Sequence, residues 1–265
     1  MDPKPDAGSL AVIDIGNTRV AMGVWDEGRV SCVTRVLTSD EPGFDTAFGA
    51  LCGGFASGRP GEVVIGSVVP AALQRVAAQV HKMTNHDARV IGADVPLPIP
   101  LDLRSPETVG VDRVCCAASA FDRVRRACIV VDFGSAITVD LVGDNGCFLG
   151  GAILPGAGMQ VRALNEFTAA LPRIQVQFPD SPVGDDTTSA IRSGVCHGIA
   201  GAVRGIVEAT ATKVGKWPHV VGTGGDLELF LPHCDFIDSA VPDLCLMGIG
   251  LAWCRRSETP EPGSG

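Results

Sequence analysis

The chain has 265 residues, of which 46% are hydrophobic and 19% are charged, and its formal net charge is −9. This composition is typical of a globular protein, and the acidic balance argues against nucleic acid or an anionic membrane as a partner. Apolar stretches all fall short of the roughly 18 residues that span a bilayer. Because the N-terminus also lacks the pattern of a signal peptide, we expect a cytoplasmic protein of one or two domains.

Strands and helices alternate in the first half of the chain after an opening run of strands. The apolar periodicity predicts strands near 10–15, 18–25, 29–37, 63–68 and 88–91, with helices near 43–56 and 71–83. A proline-rich segment, 95–100, follows and is expected to be extended.

The second half repeats this order. We predict helices over 110–126, 158–170, 188–214 and 245–255, three strands between 127 and 153, and a strand at 220–222. The pattern indicates an α/β fold with mixed sheets flanked by helices. The predicted domains are 8–110 and 111–255, followed by a flexible tail at 256–265.

An Asp-x-Gly turn occurs at equivalent places in both halves. Asp14 and Asp132 each end an apolar run, and a second glycine, Gly28 or Gly146, follows each aspartate at a distance of 14 positions. Matching turns with the same downstream spacing indicate a duplicated domain. Backbone amides of such a turn can approach an anion, while its aspartate can hold a cation or a water. Two facing turns would make a site for a metal–nucleotide complex.

A third glycine turn lies at 222–225, whereas P-loop and Gly-x-Gly-x-x-Gly motifs do not occur. The turns at 14–18, 132–138 and 222–225 resemble the phosphate-1, phosphate-2 and adenosine motifs of the actin-like (ribonuclease-H-like) ATPase and sugar-kinase superfamily. A longer series of motifs resembles type III pantothenate kinases from about residue 10 to 253. Its members are 14–18, 67–70, 110–113, 132–138, 150–156, 184–187, 193–194 and 242–248.

This resemblance implies a role for each motif residue. It implies ATP contacts from Asp14, Ile15, Gly16, Asn17, Thr18, Arg19, Val20, Ala21, Ser135, Gly224 and Gly225. It implies substrate contacts from Gly110, Val111, Asp112, Arg113 and Thr187, with Asp112 as the general base that accepts the proton of the attacking hydroxyl. Asp14 would lie beside Mg²⁺, through water, and Asp132 would bind a monovalent cation, K⁺ or NH₄⁺.

The activity implied by the resemblance is ATP-dependent phosphorylation of pantothenate to 4′-phosphopantothenate, the first step of coenzyme A biosynthesis, by a homodimer. The alternative is a non-catalytic regulatory relative that binds nucleotide. Retention of Asp14, Asp112, Arg113 and Asp132 together argues against that alternative. A sugar or acetate kinase of the same superfamily lacks support at 110–113.

Two further features leave alternatives open. Gly194, Gly198, Gly201 and Gly205 line one face of the predicted helix 188–214, and this bare face fits either its own sheet or a subunit interface. The ten cysteines include no Cys-x-x-Cys pair. We expect buried reduced thiols, including Cys245 and Cys254, rather than a metal site.

Overall fold

A computed structural model describes residues 10–55 and 57–256; the predicted tail lies outside this part of the chain, apart from Arg256. The elements confirm the predicted order of strands and helices. The strands are β1 (Leu10–Ile15), β2 (Arg19–Asp26), β3 (Arg29–Leu37), β4 (Glu62–Ser67), β5 (Arg89–Val90), β6 (Cys128–Phe133), β7 (Ala136–Val142), β8 (Phe148–Pro155), β9 (His219–Thr223) and β10 (Ser239–Ala240). The helices are α1 (Glu41–Gly54), α2 (Pro70–Thr84), α3 (Val111–Val124), α4 (Ala157–Glu166), α5 (Thr187–Val214), α6 (Leu227–Phe230) and α7 (Leu244–Arg255).

The chain forms two compact units. The first contains the residues up to Asp122 and those from Asp243 onward, and the second contains Arg123–Pro242. Helix α7 and all but the last two residues of α3 therefore belong to the first unit, and α7 contacts β1, β2 and β4. The predicted domain limits, 8–110 and 111–255, stay a prediction.

Each unit contains a five-stranded mixed sheet with the same connectivity. The first sheet has the order β3-β2-β1-β4-β5, and the second, taken in the same direction, has the order β8-β7-β6-β9-β10. In both sheets the first three strands in the chain are antiparallel neighbours, and the two later strands are added parallel to the first. This repetition confirms the duplication predicted from the two Asp-x-Gly turns.

Smaller irregularities recur at the same places. Gly28 and Gly146 both adopt positive φ, +87° and +78°, in the hairpin turns after β2 and β7. A register shift follows Met22 in one unit and Asp140 in the other, each eight positions after the aspartate of its turn. An irregularity at the same place in both strand pairs supports a common origin for the units.

Alternating side chains of β1 divide the first unit into two layers. Ile13 and Ile15 are buried in a cluster with side chains of α1 and α2. Leu10 and Val12, which point the other way, are buried with residues of α3 and α7. Asp14 continues the Leu10–Val12 face, so strand geometry directs its carboxylate toward the α3–α7 layer.

The second unit has one large core. Ile129, Val131 and Phe133 of β6 pack with residues of α5, which include Ile199 and Val203. The glycine face of α5 is not part of this core. Its four glycines are exposed, and a Cβ at any of them would have no neighbour within 4 Å. The alternative in which this face packs on its own sheet is therefore wrong.

The cysteine prediction is confirmed in part. All ten cysteines are free, and Cys115, Cys116 and Cys128 are buried. Cys245 is only partly buried, and Cys254 is exposed because it lies in the last turn of α7, where Ala252 is the buried residue. Within the described ranges, no helix is both long and apolar enough to cross a bilayer.

Candidate active site

The first glycine turn connects β1 to β2 and is held by backbone and side-chain hydrogen bonds. The Gly16 amide donates to the carbonyl of Arg19 at 3.0 Å, which closes the turn. The Thr38 hydroxyl donates to the Gly16 carbonyl at 2.8 Å, and the Thr38 amide donates to the Thr18 carbonyl at 3.0 Å. The turn is therefore fixed by the end of β3 as well as by its own hairpin.

Residues of this turn differ in what they can offer a ligand. Asn17, Thr18 and Arg19 are exposed, so their polar side chains lie at the surface. Ile15 and Val20 are buried in the core beneath the turn, and only their backbone groups could reach a ligand. The half-buried Ala21 lies opposite Asp14 in the β1–β2 ladder, so the two side chains share a face of the sheet.

Asp14 lies in an electrostatically unfavourable place for a carboxylate. Burial, followed by repulsion from Asp112, raises its pKa to about 7, although a hydrogen bond from Cys245 and the charge of Arg35 act in the opposite direction. Burial also raises the pKa of Asp112, which the amide and guanidinium of Arg113 oppose. Asp14 and Asp112 are thus close enough to repel each other, and the nearby positive charge does not cancel the rise in either pKa.

Asp112 is oriented by the first turn of α3. Its Oδ1 accepts a hydrogen bond from the Arg113 amide at 2.8 Å. Gly110 makes this orientation possible, because a Cβ at Gly110 would overlap Oδ1 of Asp112 and would lie 3.4 Å from Val68 Cγ1. The structure thus brings Asp14, Gly110, Asp112 and Arg113 together in the first unit.

The second glycine turn joins β6 to β7. Asp132 lies opposite Thr223 in the parallel β6–β9 ladder, so the turns that follow both strands are neighbours. Gly224 has φ +101°, and a Cβ there would overlap the Asp132 carboxylate and the Phe133 carbonyl. A Cβ at Gly134 would lie 3.3 Å from Asp132 Oδ1. The carboxylate of Asp132 is therefore enclosed by two glycine turns.

The other predicted residues of the second unit are at the surface. Ser135 and Gly225 are exposed, on the turns that flank Asp132. Thr187 is exposed as the first residue of α5. Its hydroxyl is not needed for capping, because the side chain of Asp186 accepts the Ser189 amide at 2.7 Å.

Sequence reasoning missed two groups near Asp14. Cys245 lies in the first turn of α7 and lowers the pKa of Asp14, and Arg35 of β3 forms an ion pair with Asp243. Arg35 belongs to no recognised motif, and Cys245 lies in the motif 242–248, to which the sequence assigned no role. Ala21 of β2 pairs with Asp14, and Arg35 of β3 pairs with Ala21. This row could have shown that Arg35 lies near Asp14, but only if the strand pairing were already known.

Metal binding by protein side chains alone is not supported in the described part of the chain, where no group of three or more His, Cys, Asp and Glu side chains could hold an ion. The pair Asp14 and Asp112 instead offers a concentrated negative charge with few ligands. Such a donor set fits Mg²⁺ that arrives with phosphate and water ligands of its own.

Each unit has a mixed sheet with a glycine turn after its first strand, and partly buried carboxylates lie beside one of the two turns. This is the architecture of actin-like phosphotransferases. Residues 10–209 match the family of type III pantothenate kinases. The chain belongs to that family.

Curated relatives agree with this assignment over nearly the whole chain. A type III pantothenate kinase of Moorella thermoacetica is 33% identical over 253 residues, which are 94% of this chain and 100% of the relative. The enzyme of that name from Rhodospirillum rubrum is 34% identical over 246 residues, covering 91% and 96%. One from Anaeromyxobacter sp. (strain K) is 36% identical over 222 residues, covering 82% and 87%.

Solved structures share the fold. A Campylobacter jejuni protein described as a Baf family transcriptional activator superposes with a TM-score of 0.59 at 20% identity, covering 94% of this chain and 98% of its own. Component A of (R)-2-hydroxyglutaryl-CoA dehydratase from Acidaminococcus fermentans gives a TM-score of 0.56 at 15% identity, covering 95% and 98%. Together with the strand order, these likenesses confirm the predicted duplicated actin-like fold.

Proposed function

We propose that this chain transfers the γ-phosphoryl group of ATP to the 4′-hydroxyl of pantothenate, the first step of coenzyme A biosynthesis, in the cytoplasm. The proposal rests on Asp14 and Asp112, two carboxylates that lie near each other in the first unit. The chain that carries them belongs to this family. One carboxylate lies at a glycine turn suited to phosphate, and the other is oriented by Gly110 at the start of a helix.

A purified-protein assay of ADP release tests this function. With ATP, Mg²⁺ and K⁺ present, we expect turnover with pantothenate and none with glucose or acetate as acceptor. An analogue of pantothenate without the 4′-hydroxyl should bind without turnover. ATP binding without turnover on any of these acceptors would favour the non-catalytic alternative.

In this proposal Asp112 accepts the proton of the attacking hydroxyl as the bond to phosphorus forms. A base in this reaction needs only moderate basicity, since phosphoryl transfer gains most from positioning and from charge stabilisation. Burial raises the pKa of Asp112, which makes it a better proton acceptor than an exposed aspartate. Arg113, together with the backbone at Gly110 and Val111, would bind pantothenate, whose carboxylate matches a guanidinium.

Around the nucleotide, the amides of Gly16, Asn17 and Thr18 would donate to phosphate oxygens, with Ile15, Arg19, Val20 and Ala21 contributing from the adjoining strands. Mg²⁺ would be held near Asp14 through water, where it supplies positive charge to the phosphates. Ser135 would donate to phosphate from the second turn. Gly224 and Gly225 would leave room for the adenosine.

Asp132 is proposed to bind the monovalent cation. Its carboxylate lies beside the Phe133 carbonyl at the Gly224 turn, and hard oxygen ligands of this kind suit K⁺ or NH₄⁺. Replacing K⁺ by Na⁺ should lower kcat/KM for ATP by about tenfold, the equivalent of about 1.4 kcal/mol in transition-state binding. Initial rates in K⁺, Na⁺ and tetramethylammonium salts at constant ionic strength measure this.

The matched variant is Asp132→Asn. Its rate of phosphorylation should be low in all three salts, because it lacks the carboxylate that binds the cation. Equal wild-type rates in the three salts would contradict a cation role for Asp132.

We propose a homodimer because the glycine face of α5 is exposed. Without side chains on this face, a helix of a second subunit could pack closely against it. Thr187, at the start of α5, would then contact pantothenate bound to the partner subunit. Gly201→Leu should be tolerated by the single chain, because a Cβ there meets nothing within 4 Å. In a dimer the same leucine should overpack the interface by about 1–3 kcal/mol.

We therefore expect Gly201→Leu to be a folded, inactive monomer, as measured by light scattering, circular dichroism and rate. The control is Gly53→Leu, since Gly53 is also an exposed helical glycine with open space around it, on α1. A Gly201→Leu monomer with full activity would contradict the shared site, and an unchanged dimer would contradict the interface.

A further inference from the structure

The first glycine turn is tied to a residue that the proposed function leaves unused. Thr38 follows β3, and both its hydroxyl and its amide donate to carbonyls of the turn 14–18. We propose that Thr38 is a positioning residue, which aims the amide of Asn17 at a phosphate of the nucleotide, and that Arg75 of α2 holds Thr38 in place. This inference rests on the proposed function in one respect: it takes the turn as a phosphate site.

The hydroxyl of Thr38 determines which way one peptide group of the turn points. It donates to the Gly16 carbonyl at 2.8 Å, and that carbonyl belongs to the same peptide group as the Asn17 amide. This peptide bond is trans, so its N–H and C=O point in opposite directions. The N–H of Asn17, an exposed residue, is therefore directed away from Thr38. An amide that points out of a glycine turn in this way is a suitable donor to an anion.

Two further hydrogen bonds hold the turn from the sides. The Thr38 amide donates to the Thr18 carbonyl at 3.0 Å, directly after the last pair of the β2–β3 ladder. On the other side of β1, the Val68 amide donates to the Ile15 carbonyl at 3.3 Å. Donors of the first unit thus bind three carbonyls of the turn, and Thr38 supplies two of these donors.

Arg75 lies on α2 and binds the carbonyl of Thr38. Its Nη2 donates to that carbonyl, and its buried Nε lies 3.5 Å from Oε1 of Glu41, the first residue of α1. A guanidinium has several donors in one plane, so it can bind a carbonyl and a carboxylate together. One turn further along α2, Gln79 donates to Asp45 of α1 at 2.9 Å. These contacts hold α2 against the segment that contains Thr38.

The link between β3 and α1 is short and fixed at its far end. Only Thr38 and Ser39 separate β3 from Asp40, the N-cap residue of α1. The Asp40 side chain accepts the Gly43 amide at 2.9 Å, and the Asp40 amide donates to the Leu37 carbonyl at 2.9 Å. Removal of the Thr38 hydroxyl should therefore leave the link in place and free only the peptide group of the turn.

The test compares Thr38→Val, which keeps the shape and removes the hydroxyl, with Thr38→Ser, which keeps the hydroxyl. Calorimetry measures the affinity for Mg²⁺ with a non-hydrolysable ATP analogue, and ADP release measures kcat and both KM values. From the net contribution of one hydrogen bond, we expect affinity about tenfold lower for Thr38→Val and close to wild type for Thr38→Ser. KM for ATP should rise by a similar factor, whereas KM for pantothenate, which is proposed to bind at 110–113, should not change.

Thr46→Val is the matched control, because the exposed Thr46 hydroxyl also donates to a carbonyl, that of Pro42 at 2.9 Å, but within α1. It should bind the nucleotide as the wild type does. Equal affinity of Thr38→Val and wild type would overturn the proposal. Equal losses in Thr38→Val and Thr38→Ser would also overturn it, since the hydroxyl would then not be responsible.

The role of Arg75 is tested with Arg75→Met, alone and combined with Thr38→Val. The single variant should lower nucleotide affinity by about threefold, and it should add little to the loss in Thr38→Val if Arg75 acts through Thr38. Arg89→Met is the control, since Arg89 pairs with Glu62 at 3.8 Å at the opposite edge of the sheet. Losses that add fully in the double variant would contradict an action of Arg75 through Thr38.

The binding measurement is made without pantothenate, which separates this inference from the proposed function. Wild-type protein that binds the magnesium–nucleotide but phosphorylates no acceptor would refute the proposed function, and the variants would still decide the role of Thr38. Wild-type protein that does not bind the analogue would overturn this inference as well, because the turn would then not be a phosphate site. Thermal unfolding without nucleotide verifies that each variant is folded, and Thr38→Ala removes the same hydroxyl if Thr38→Val does not fold.

Discussion

Asp112→Asn is expected to lower kcat for pantothenate phosphorylation by about 10²–10⁴-fold, the usual contribution of a positioned general base. Asparagine preserves the shape and can still accept the Arg113 amide, so the turn at Gly110 should be unchanged. It cannot accept a proton from the substrate hydroxyl. ATP affinity should remain close to that of the wild type, because Asp112 is proposed to act on the acceptor.

Steady-state kinetics and nucleotide titration of the same preparations measure both quantities. Glu107→Gln is the control: Glu107 is an exposed carboxylate in the short 3-10 helix that precedes α3. It should behave as the wild type. A near wild-type kcat for Asp112→Asn would show that Asp112 is a structural carboxylate and that our assignment of the base is wrong.

Asp14→Asn is expected to abolish turnover and yet to stabilise the metal-free protein. The folded-state pKa of Asp14 is about 7, above the ordinary 3.8, so the native state favours the protonated carboxyl. This preference adds to the free energy of unfolding. The contribution is fully present below about pH 4 and is lost as the pH rises through about 7. Asparagine does not ionise, so the advantage of the variant should grow over this range and level off above it.

At pH 8 the difference in unfolding free energy should be on the order of 2 kcal/mol, after allowance for the partial exposure of Asp14. Urea unfolding in EDTA between pH 4 and 8 measures it. Asp102→Asn, which makes the same change at an exposed carboxylate, is the control. If Asp14→Asn is no more stable than the wild type at pH 8, the Asp14 carboxylate is not strained in the native state, whatever its role in binding.

Most of the fold could be predicted because local signals agreed with the tertiary structure. The paired aspartates and the 14-residue spacing to Gly28 and Gly146 identified the duplication, and both glycines have the positive φ that such turns favour. Short elements such as β10 and α6 were missed, because two to four residues carry no periodicity. The glycine face of α5 could not be oriented from sequence, since a bare face fits a sheet and a second helix equally well.

The candidate site was less predictable. Residues within motifs, from Asp14 to Thr18 and from Gly110 to Arg113, could be named as a set because each motif is continuous in the chain. Cys245 lies in the motif 242–248, but its place near Asp14 could not be predicted, since it depends on the last helix returning to the first unit. Nor could sequence show that Ile15 and Val20 are buried, which limits them to backbone contacts with a ligand.

Identification of the product tests the central claim most directly. Purified protein is incubated with pantothenate, ATP, Mg²⁺ and K⁺, and the acceptor is recovered for mass spectrometry and for proton NMR with phosphorus coupling. We predict pantothenate heavier by one phosphoryl group, with phosphorus coupled to the methylene protons at the 4′ position, and one ADP formed for each product. Unmodified pantothenate, or ADP formed at the same rate without pantothenate, would contradict the account.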